Sequence, residues 1–438
     1  MKVGDGVPDH GFSADAARRA LIGSVFGTAL ETYDFILFGT AAGLVFNRLF
    51  FPGSDALAGT LYAFGAFAVG FVARPIGGLI IGNYGDRVGR KPMLLLTLGL
   101  MGAVTALIGL LPTYAQIGIF APILLTLLRF IQGIAFGGEW GGAILVVIEH
   151  APRSRRGLFG GLASGGIPMG TVFASGLLSL SVYATGPHFL TWGWRLPFLF
   201  SIAMILMGLY VRTRILETPE FLAVQREGRL SSLPAMEAVR RHYREILLIA
   251  GAFLMSNATF YVTSVFMLSY GNSTLGIGIN AMLNALAVKS FATIVAAAAF
   301  GALSDRFGRV PVILGSVLFM ALYIFPLFWL VQTRDPTAVT LGLGLAGVGI
   351  VAINGPVAAF STEVYDASLR YSGATLGTQM GAVFGGGFSP LIAQAMLAHF
   401  GGATWPICLY VIVLSVLAVG CVAALGETYR KPRLALAN

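Results

Sequence analysis

Apolar segments long enough to cross a membrane recur along the whole chain, with short polar segments between them. A bilayer core of about 30 Å requires about 20 predominantly apolar residues in a helix that crosses it. The segments lie at approximately 20–46, 57–81, 93–112, 118–148, 157–183, 190–211, 246–271, 282–303, 311–331, 338–361, 372–397 and 405–426. The pattern predicts an all-α membrane protein with about twelve transmembrane helices.

Composition narrows the class of protein. Only 11% of the 438 residues are charged and 56% are hydrophobic, whereas about a quarter of the residues of a soluble domain are charged. The chain therefore has too little charge to cover a water-facing surface. The five histidines fall at span ends or in loops, and we find no Ser–His pair or metal-ligand cluster among the spans. We expect a protein that is not an enzyme and that uses no metal and no cofactor.

The net charge is +9, and the distribution of the basic residues along the chain indicates the membrane topology. With the amino terminus placed in the cytoplasm, 22 of the 28 Lys and Arg residues fall in segments on the cytoplasmic side. This is the positive-inside pattern. We therefore predict both termini in the cytoplasm, a multi-pass location in the plasma membrane (the inner membrane of a bacterium) and no nucleic-acid partner. Residues 1–19 contain no apolar stretch, so no cleavable signal peptide is predicted.

The chain is built from two related halves. A polar stretch at 212–245 is predicted to be a cytoplasmic linker between an amino-terminal six-helix bundle, 1–211, and a carboxy-terminal six-helix bundle, 246–438. The run Gly82–Pro92 recurs as Gly301–Pro311. Parallel repeats of this kind occur in transporters whose substrate site lies between the halves.

The repeated run contains Asp-Arg-x-Gly-Arg in the turn between spans two and three of each half. We expect its aspartate to meet a helix end across the turn, and its last arginine to meet an acid at the end of span four or ten. Such a cluster would hold the cytoplasmic ends together in one state and release them in another; a static topology anchor is the alternative. The predicted gate residues are Asp86, Arg87, Arg90, Glu149, Asp305, Arg306, Arg309 and Glu363.

The doubled Gly-x-x-x-Asp-Arg-x-Gly-Arg run resembles the signature of the major facilitator superfamily. Five further motifs look like those of its metabolite:proton symporter family. They are Glu31–Phe35, Ala73–Gly78, Arg129–Gly133, Gly137–Ala143 and Trp192–Phe198. The resemblance implies two pseudo-symmetric six-helix bundles and transport of shikimate, α-ketoglutarate, citrate, other carboxylates, or proline and betaine.

Two details of this resemblance bear on the substrate. The run from Gly59 to Arg156 looks most like the shikimate-transporter branch. Thr32, in contrast, stands where the family usually has Trp. If the Trp ring helps shape the pocket in the family, this departure weakens the assignment of the substrate by resemblance.

Ionisable residues within the spans indicate a functional site, because each costs about 2.5–3.5 kcal/mol at the bilayer centre. Glu31 and Asp34 lie one turn apart on the first span, and Arg129 lies on the fourth. An acid beside an arginine keeps its charge, and it takes up a proton when the arginine is drawn away. We predict Asp34 and Arg129 as the proton-coupling pair, with Glu31 beside them; the superfamily's proton-coupled sugar transporters resemble this arrangement.

Two other cations within the spans, Arg74 and Lys289, are candidates for binding a substrate carboxylate, Arg as a bidentate partner and Lys as a point charge. Arg74 has the alternative of locking the inner gate. The other predicted substrate-binding residues are Tyr33, Gln132, Glu139, Trp140, Asn257, Tyr261 and Asn354. For Glu139, a hydrogen bond that stabilises packing competes with proton transfer.

Glycines at every fourth position on spans five and eleven predict smooth helix faces that allow close approach. They are Gly157, Gly161 and Gly165 on span five, and Gly373, Gly377, Gly381 and Gly385 on span eleven. Because these spans are counterparts, we expect both stripes to lie between the halves.

The sequence thus predicts a monomeric, proton-coupled symporter that imports a small polar metabolite by alternating access. Its partners are a small-molecule substrate and the lipid bilayer, and the proton is its coupling ion. A carboxylate substrate is favoured because of the two additional cations. Three alternatives stay open at this point: a symporter of a proline- or betaine-like zwitterion, a drug/proton antiporter on the same scaffold, and a transporter-shaped sensor.

Overall fold

The structure is a computed structural model that describes residues 14–52, 56–88, 90–137, 147–148, 151–213, 234–365 and 370–427. Every regular element in these residues is helical. The first half contains α1 (Ala14–Ala41), α2 (Ala56–Val88), α3 (Arg90–Leu110), α4 (Phe120–Phe136), α5 (Arg156–Ser164 and Gly166–Thr185) and α6 (Arg195–Thr213). The second half contains α7 (Pro234–Tyr261), α8 (Ile279–Phe307), α9 (Arg309–Gln332), α10 (Pro336–Glu363), α11 (Arg370–Ala382 and Ser389–His399) and α12 (Trp405–Leu425).

Short elements extend or join these helices. The π-helical turns are Ala42–Phe46, Phe189–Gly193, Val262–Phe266, Tyr270–Thr274 and Val383–Gly387. The short α- and 3₁₀-helices are Asn47–Leu49, Tyr114–Ile117, Arg153–Arg155, Gly186–His188 and Met267–Ser269. Most of the π turns follow directly on a long helix, so they let it continue with an altered register.

Nine helical segments of the described residues are long and apolar enough to cross a membrane. Three shorter apolar helices, Leu95–Leu110, Phe120–Phe136 and Arg195–Tyr210, occupy predicted spans three, four and six. Helix α7 spans Pro234–Tyr261 and is kinked at His242, where two helical segments join, so the boundary predicted at 246 falls shortly after the kink. Residues 214–233 of the predicted linker lie outside the described residues.

Small residues let helices of the first half touch backbone to backbone. A Cβ atom at Gly133 would collide with the carbonyl of Gly70, and one at Gly137 with the carbonyl of Arg74. Since lipid tails are as apolar as the helices, close van der Waals packing rather than hydrophobic burial holds such pairs together. This contact fixes α4 against α2 and sets the position of Arg74.

Two of the three glycines of the stripe on α5 lie between the halves, as predicted, whereas Gly165 meets only its own helix. Gly157 approaches the Gly301 carbonyl of α8, and Gly161 approaches the Ala297 carbonyl. These pairs bring α5 and α8 together along several turns.

The prediction for the second stripe is wrong. Gly377, Gly381 and Gly385 pack on α7 within the same half. Two later glycines of α11, Gly386 and Gly387, face Phe71 of α2 in the first half. They lie at the end of the π turn Val383–Gly387, beyond the four-residue series that the sequence pattern identified.

Candidate functional site

A cavity lies between the two halves, with an empty volume of about 760 Å³ that includes the part open to solvent. The first half contributes its charged residues, Glu31 of α1 and Arg74 of α2. The second half contributes neutral polar residues, of which the amides are Asn257, Asn354 and Gln379. The cavity therefore pairs a charged wall with a wall of neutral hydrogen-bonding groups.

Packed side chains close one end of this cavity. The lining residues of α1 lie between Thr28 and Phe35. One turn further, Gly39 packs against Val265, and after it Gly43 packs against Ser269. The first and second halves thus meet directly on the side of the cavity away from the start of α1.

Arg74 is held at the cavity wall by three aromatic rings. Its guanidinium carbon lies 3.9 Å from the ring centroid of Phe35, 3.7 Å from that of Phe71 and 3.8 Å from that of Phe136. Desolvated cation–π contacts of this kind contribute about 2 kcal/mol each. Only 4% of Arg74 is exposed, and its Nε and Nη2 atoms have no hydrogen-bond partner among the described residues. A buried guanidinium with unused donors is suited to an anionic ligand.

Arg129 lies behind the cavity wall and is fully buried. Its Nη1 donates a hydrogen bond to Gln132 Oε1 at 2.6 Å, and Gln132 Nε2 donates to Thr105 Oγ1 at 2.7 Å. Asp34 lies close enough to act on Arg129 electrostatically. The structure therefore brings the predicted pair together, although neither Asp34, Arg129 nor Gln132 lines the cavity.

One phenyl ring separates the two arginines. The guanidinium carbons of Arg74 and Arg129 lie 3.9 Å and 3.8 Å from the ring centroid of Phe35. Two groups this close cannot share one face of the ring without overlap, so they lie on opposite faces, at most about 8 Å apart. At that distance and an effective dielectric constant of about 20, like charges repel by about 2 kcal/mol.

Lys289 occupies a separate, smaller cavity of about 310 Å³ between α5, α8 and α10. Its Nζ donates to Thr263 Oγ1 at 2.6 Å and to Ser264 Oγ at 2.7 Å. No carboxylate in the described part of the chain lies within ion-pair distance of it. The small cavity shares Phe260 and Asn354 with the larger one. Lys289 therefore lines a cavity that adjoins the main one.

The other predicted substrate residues divide into three groups. Asn257, Tyr261 and Asn354 line the cavity. Tyr33 does not, because its hydroxyl donates to the Pro197 carbonyl at 2.5 Å on the far side of α1. Glu139 and Trp140 lie outside the described residues.

Sequence reasoning missed three polar residues of the second-half wall. Ser256 of α7 lines the cavity and donates a hydrogen bond to Asn354 Oδ1. Thr378 and Gln379 of α11 line it as well. Gln379 could have been found as an amide inside an otherwise apolar, glycine-rich span; a lone Ser or Thr in a helix gives no comparable signal, because its hydroxyl usually bonds to its own backbone.

A polar cluster ties the halves together at the end of the bundle where α1 begins. Asp305 of α8 accepts hydrogen bonds at 2.8 Å from the backbone N–H groups of Gly157 and Leu158, at the start of α5. A carboxylate at a helix amino terminus is favoured by the helix dipole. Arg309 bridges Asp305 at 2.8 Å and Glu363 of α10 at 3.4 Å. The predicted contact of the motif's last arginine with an acid at the end of span ten is present, as Arg309–Glu363. Asp305, in contrast, meets the start of α5 in the other half rather than the helix end across its own turn.

The remaining predicted gate residues either lie outside this cluster or have side chains outside the described part of the structure. Arg306 is exposed and stacks on Phe307 at 5.5 Å, so it does not join the cluster. Adjacent residues of a helix point in different directions, so Arg306 is exposed although the neighbouring Asp305 is in the cluster. The side chains of the first-half counterparts Asp86, Arg87, Arg90 and Glu149 lie outside the described part.

The chain matches the family model of the Major Facilitator Superfamily over residues 24–380. The shikimate transporter of Escherichia coli (strain K12) is 41% identical over 413 residues, covering 92% of this chain and 94% of that protein. The inner membrane metabolite transport protein YhjE of the same organism is 38% identical, covering 88% and 89%. The proline/betaine transporter of Salmonella typhimurium is 32% identical, covering 95% and 84%.

The fold matches that of solved transporters. The structure of the xylose transporter XylE from E. coli in a partially occluded inward open conformation superposes with a TM-score of 0.73, covering 96% of this chain and 100% of that one, at 18% identity. With the family match over most of the chain and relatives that are all transporters, the assignment follows: this chain belongs to the major facilitator superfamily and is a multi-pass membrane transporter, not an enzyme.

Proposed function

We propose that this transporter is a proton-coupled symporter that imports a carboxylate-bearing metabolite by alternating access. The observation that carries the proposal is the guanidinium of Arg74, buried at the wall of the central cavity with hydrogen-bond donors unused among the described residues. Arginine presents donors in a planar fork that matches a carboxylate, and such bidentate pairs are among the strong hydrogen bonds.

The second-half wall suggests what else the substrate carries. Asn257, Asn354 and Gln379 offer both donors and acceptors, as hydroxyl groups require. A hydroxylated carboxylate fits these two walls together, and shikimate is one. The relative that is 41% identical is named a shikimate transporter, which supports a shikimate-like substrate here.

Proton coupling is proposed for the acids of α1. Glu31 shares the cavity with Arg74, and Asp34 is paired electrostatically with Arg129 behind it. Import of an anion works against a membrane potential that is negative inside, and a proton carried on one of these acids offsets that charge. No cofactor is required. With the termini in the cytoplasm, the Asp305–Arg309–Glu363 cluster would hold the cytoplasmic side closed in one state of a monomeric transporter.

The test is uptake into proteoliposomes of labelled shikimate, α-ketoglutarate, citrate and proline, with and without an inward proton gradient. We expect accumulation of one hydroxylated acid only when the gradient is present. Equal uptake with and without the gradient would contradict proton coupling. Export of lipophilic cations with no acid uptake would establish antiport instead.

A zwitterionic substrate is a second candidate, because Glu31 and Arg74 place one charge of each sign in the same cavity. A proline- or betaine-like molecule would use both, with its cation at Glu31. Competition separates the two candidates: excess proline or betaine should leave shikimate uptake unchanged if the substrate is a carboxylate, and should abolish it if the site prefers a zwitterion.

A further inference from the structure

Phe35 contacts both buried arginines of the first half, with ring distances of 3.9 Å to Arg74 and 3.8 Å to Arg129. On α1 it follows Asp34 directly and lies one turn beyond Glu31. The sequence therefore places the ring next to both candidate proton-binding acids.

The two faces of the ring have different surroundings. Glu31, Phe35 and Arg74 line the central cavity, whereas Asp34 and Arg129 do not. Phe35 is 1% exposed, so on the side of Arg129 the ring has no contact with solvent. The ring is thus a partition between an arginine open to the substrate and an arginine sealed in the protein.

Neighbouring rings fix the partition in place. Phe35 makes edge contacts with Phe71 at 5.1 Å, Phe136 at 4.7 Å and Phe67 at 6.5 Å between centroids. These rings come from α2 and α4, the helices that carry the two arginines. They keep water out of the space between the guanidinium groups, where charges consequently act on one another with little screening.

A substrate carboxylate bound to Arg74 would cancel the positive charge on the cavity face of Phe35. Asp34, on the sealed side, would then lose part of the positive potential that favours its ionised form, so proton binding to Asp34 would become more favourable. In the described residues, Asp34 acts electrostatically on Arg129 and on its neighbour Tyr33. Arg129 is coupled in turn to Arg74 and Tyr261, and Glu31 acts on Arg74 and Tyr261. Substrate and proton would therefore bind cooperatively, as symport requires.

We propose that Phe35 is a positioning residue for coupling, which holds Arg74 and Arg129 on opposite faces of one water-excluding ring so that anion binding at Arg74 promotes protonation of Asp34. This inference rests on the proposed symport function. Phe35 itself binds neither the proton nor the carboxylate. Its ring sets the distance between the groups that do, and it keeps the dielectric constant between them low.

The experiment measures substrate affinity as a function of pH in purified protein, using the labelled acid that the uptake assay identifies. When one proton is linked to binding, affinity rises by up to about tenfold for each unit fall in pH. Phe35→Leu should flatten this slope to less than about threefold per unit while equilibrium exchange of substrate continues. Phe35→Tyr keeps the ring and should retain the wild-type slope.

Phe46→Leu is the matched control. Phe46 is equally buried and packs against Phe38, Phe50, Trp194 and Phe198 rather than against a guanidinium. It should keep the slope even if it loses stability. Phe35→Met repeats the main test with a flexible side chain that fills irregular space.

Two results would overturn the inference: a wild-type slope in Phe35→Leu or Phe35→Met, or a flattened slope in Phe35→Tyr. Failure of the proposed function looks different, because the wild-type protein itself would then show neither a pH-dependent affinity nor gradient-driven accumulation.

Discussion

Arg74 and Arg129 contact the same phenyl ring, that of Phe35, but their surroundings indicate different roles. Arg74 faces the cavity, and Arg129 is bound to Gln132 in the sealed layer. The intramembrane charges that the sequence singled out thus separate into a group that can meet a substrate and a group that can respond to it.

Arg74→Lys tests the first group. Lysine keeps the charge but loses the planar fork and much of the stacking on three rings, so substrate affinity should fall by at least about tenfold, equivalent to ~1.4 kcal/mol. Substrate binding to purified protein measures this. Arg306→Lys makes the same exchange at an exposed site and should change nothing. Unchanged affinity in Arg74→Lys would remove Arg74 from the substrate site.

Asp34→Asn tests the second group. The amide cannot bind and release a proton, so pH-driven accumulation should be lost while substrate exchange stays at least partly intact. Proteoliposomes loaded with unlabelled substrate measure exchange, and the same preparation under a proton gradient measures accumulation. Accumulation that persists unchanged would show that Asp34 is not the coupling residue.

Helix α5 contacts the other half of the protein at glycines. At Gly161, the space that a Cβ would need is occupied by the Ala297 backbone of α8. The same helix has Gly176, where a Cβ would meet nothing within 4 Å. Glycines of one helix therefore differ in the space that is available for a side chain, and the sequence alone does not show this difference.

Gly161→Ala should consequently lower stability by about 1–3 kcal/mol, since overpacking forces backbone shifts, and should slow transport by spreading α5 from α8. The thermal unfolding midpoint in detergent and the uptake rate are the measurements. Gly176→Ala, on the open face, should leave both unchanged. Equal effects of the two substitutions would mean that the helix contact is looser than the structure indicates.

Across the whole molecule, a few polar groups link the halves at the end of the bundle where α1 begins, the end that we propose they hold closed in one state. Asp305 holds the start of α5, and Arg309 joins Asp305 to Glu363. Glu427 supports the same region by accepting hydrogen bonds from the backbone N–H groups of Arg309 and Val310 at 3.0 Å. Charge pairs of this kind can be broken and remade between two conformations without disturbing the apolar packing.

Asp305→Asn should weaken that closure, because a neutral amide interacts less with the helix dipole and because Arg309 loses one of its two carboxylate partners. We expect greater labelling of a cysteine placed at the cavity-lining position Ser164, by a reagent added from the cytoplasmic side. Glu237→Asn is the control, since its pair with Arg241 on the surface of α7 links no two helices. Labelling unchanged from wild type would indicate that the cluster is a static anchor.

The amino-acid sequence by itself determined the class of protein, the order of the helices and the doubled plan. Runs of apolar residues in a chain with few charges have one stable arrangement, helices in a bilayer, because backbone polar groups must be satisfied within each segment. It also picked out Arg74 and Arg129, because charges within apolar helices are costly and therefore conspicuous, and it picked out the second-half gate residues because their motif recurs in both halves.

Only the tertiary structure decided which side chains meet. Phe35 looks like one apolar residue among many until folding places two arginines on its faces. Lys289 turns out to lie beside the main cavity rather than in it, and Gly377 and Gly381 to face α7 rather than the other half. A helical period shows which residues share a face, but the partner of that face depends on how the helices rotate and cross, which is set by close packing over long sequence separations.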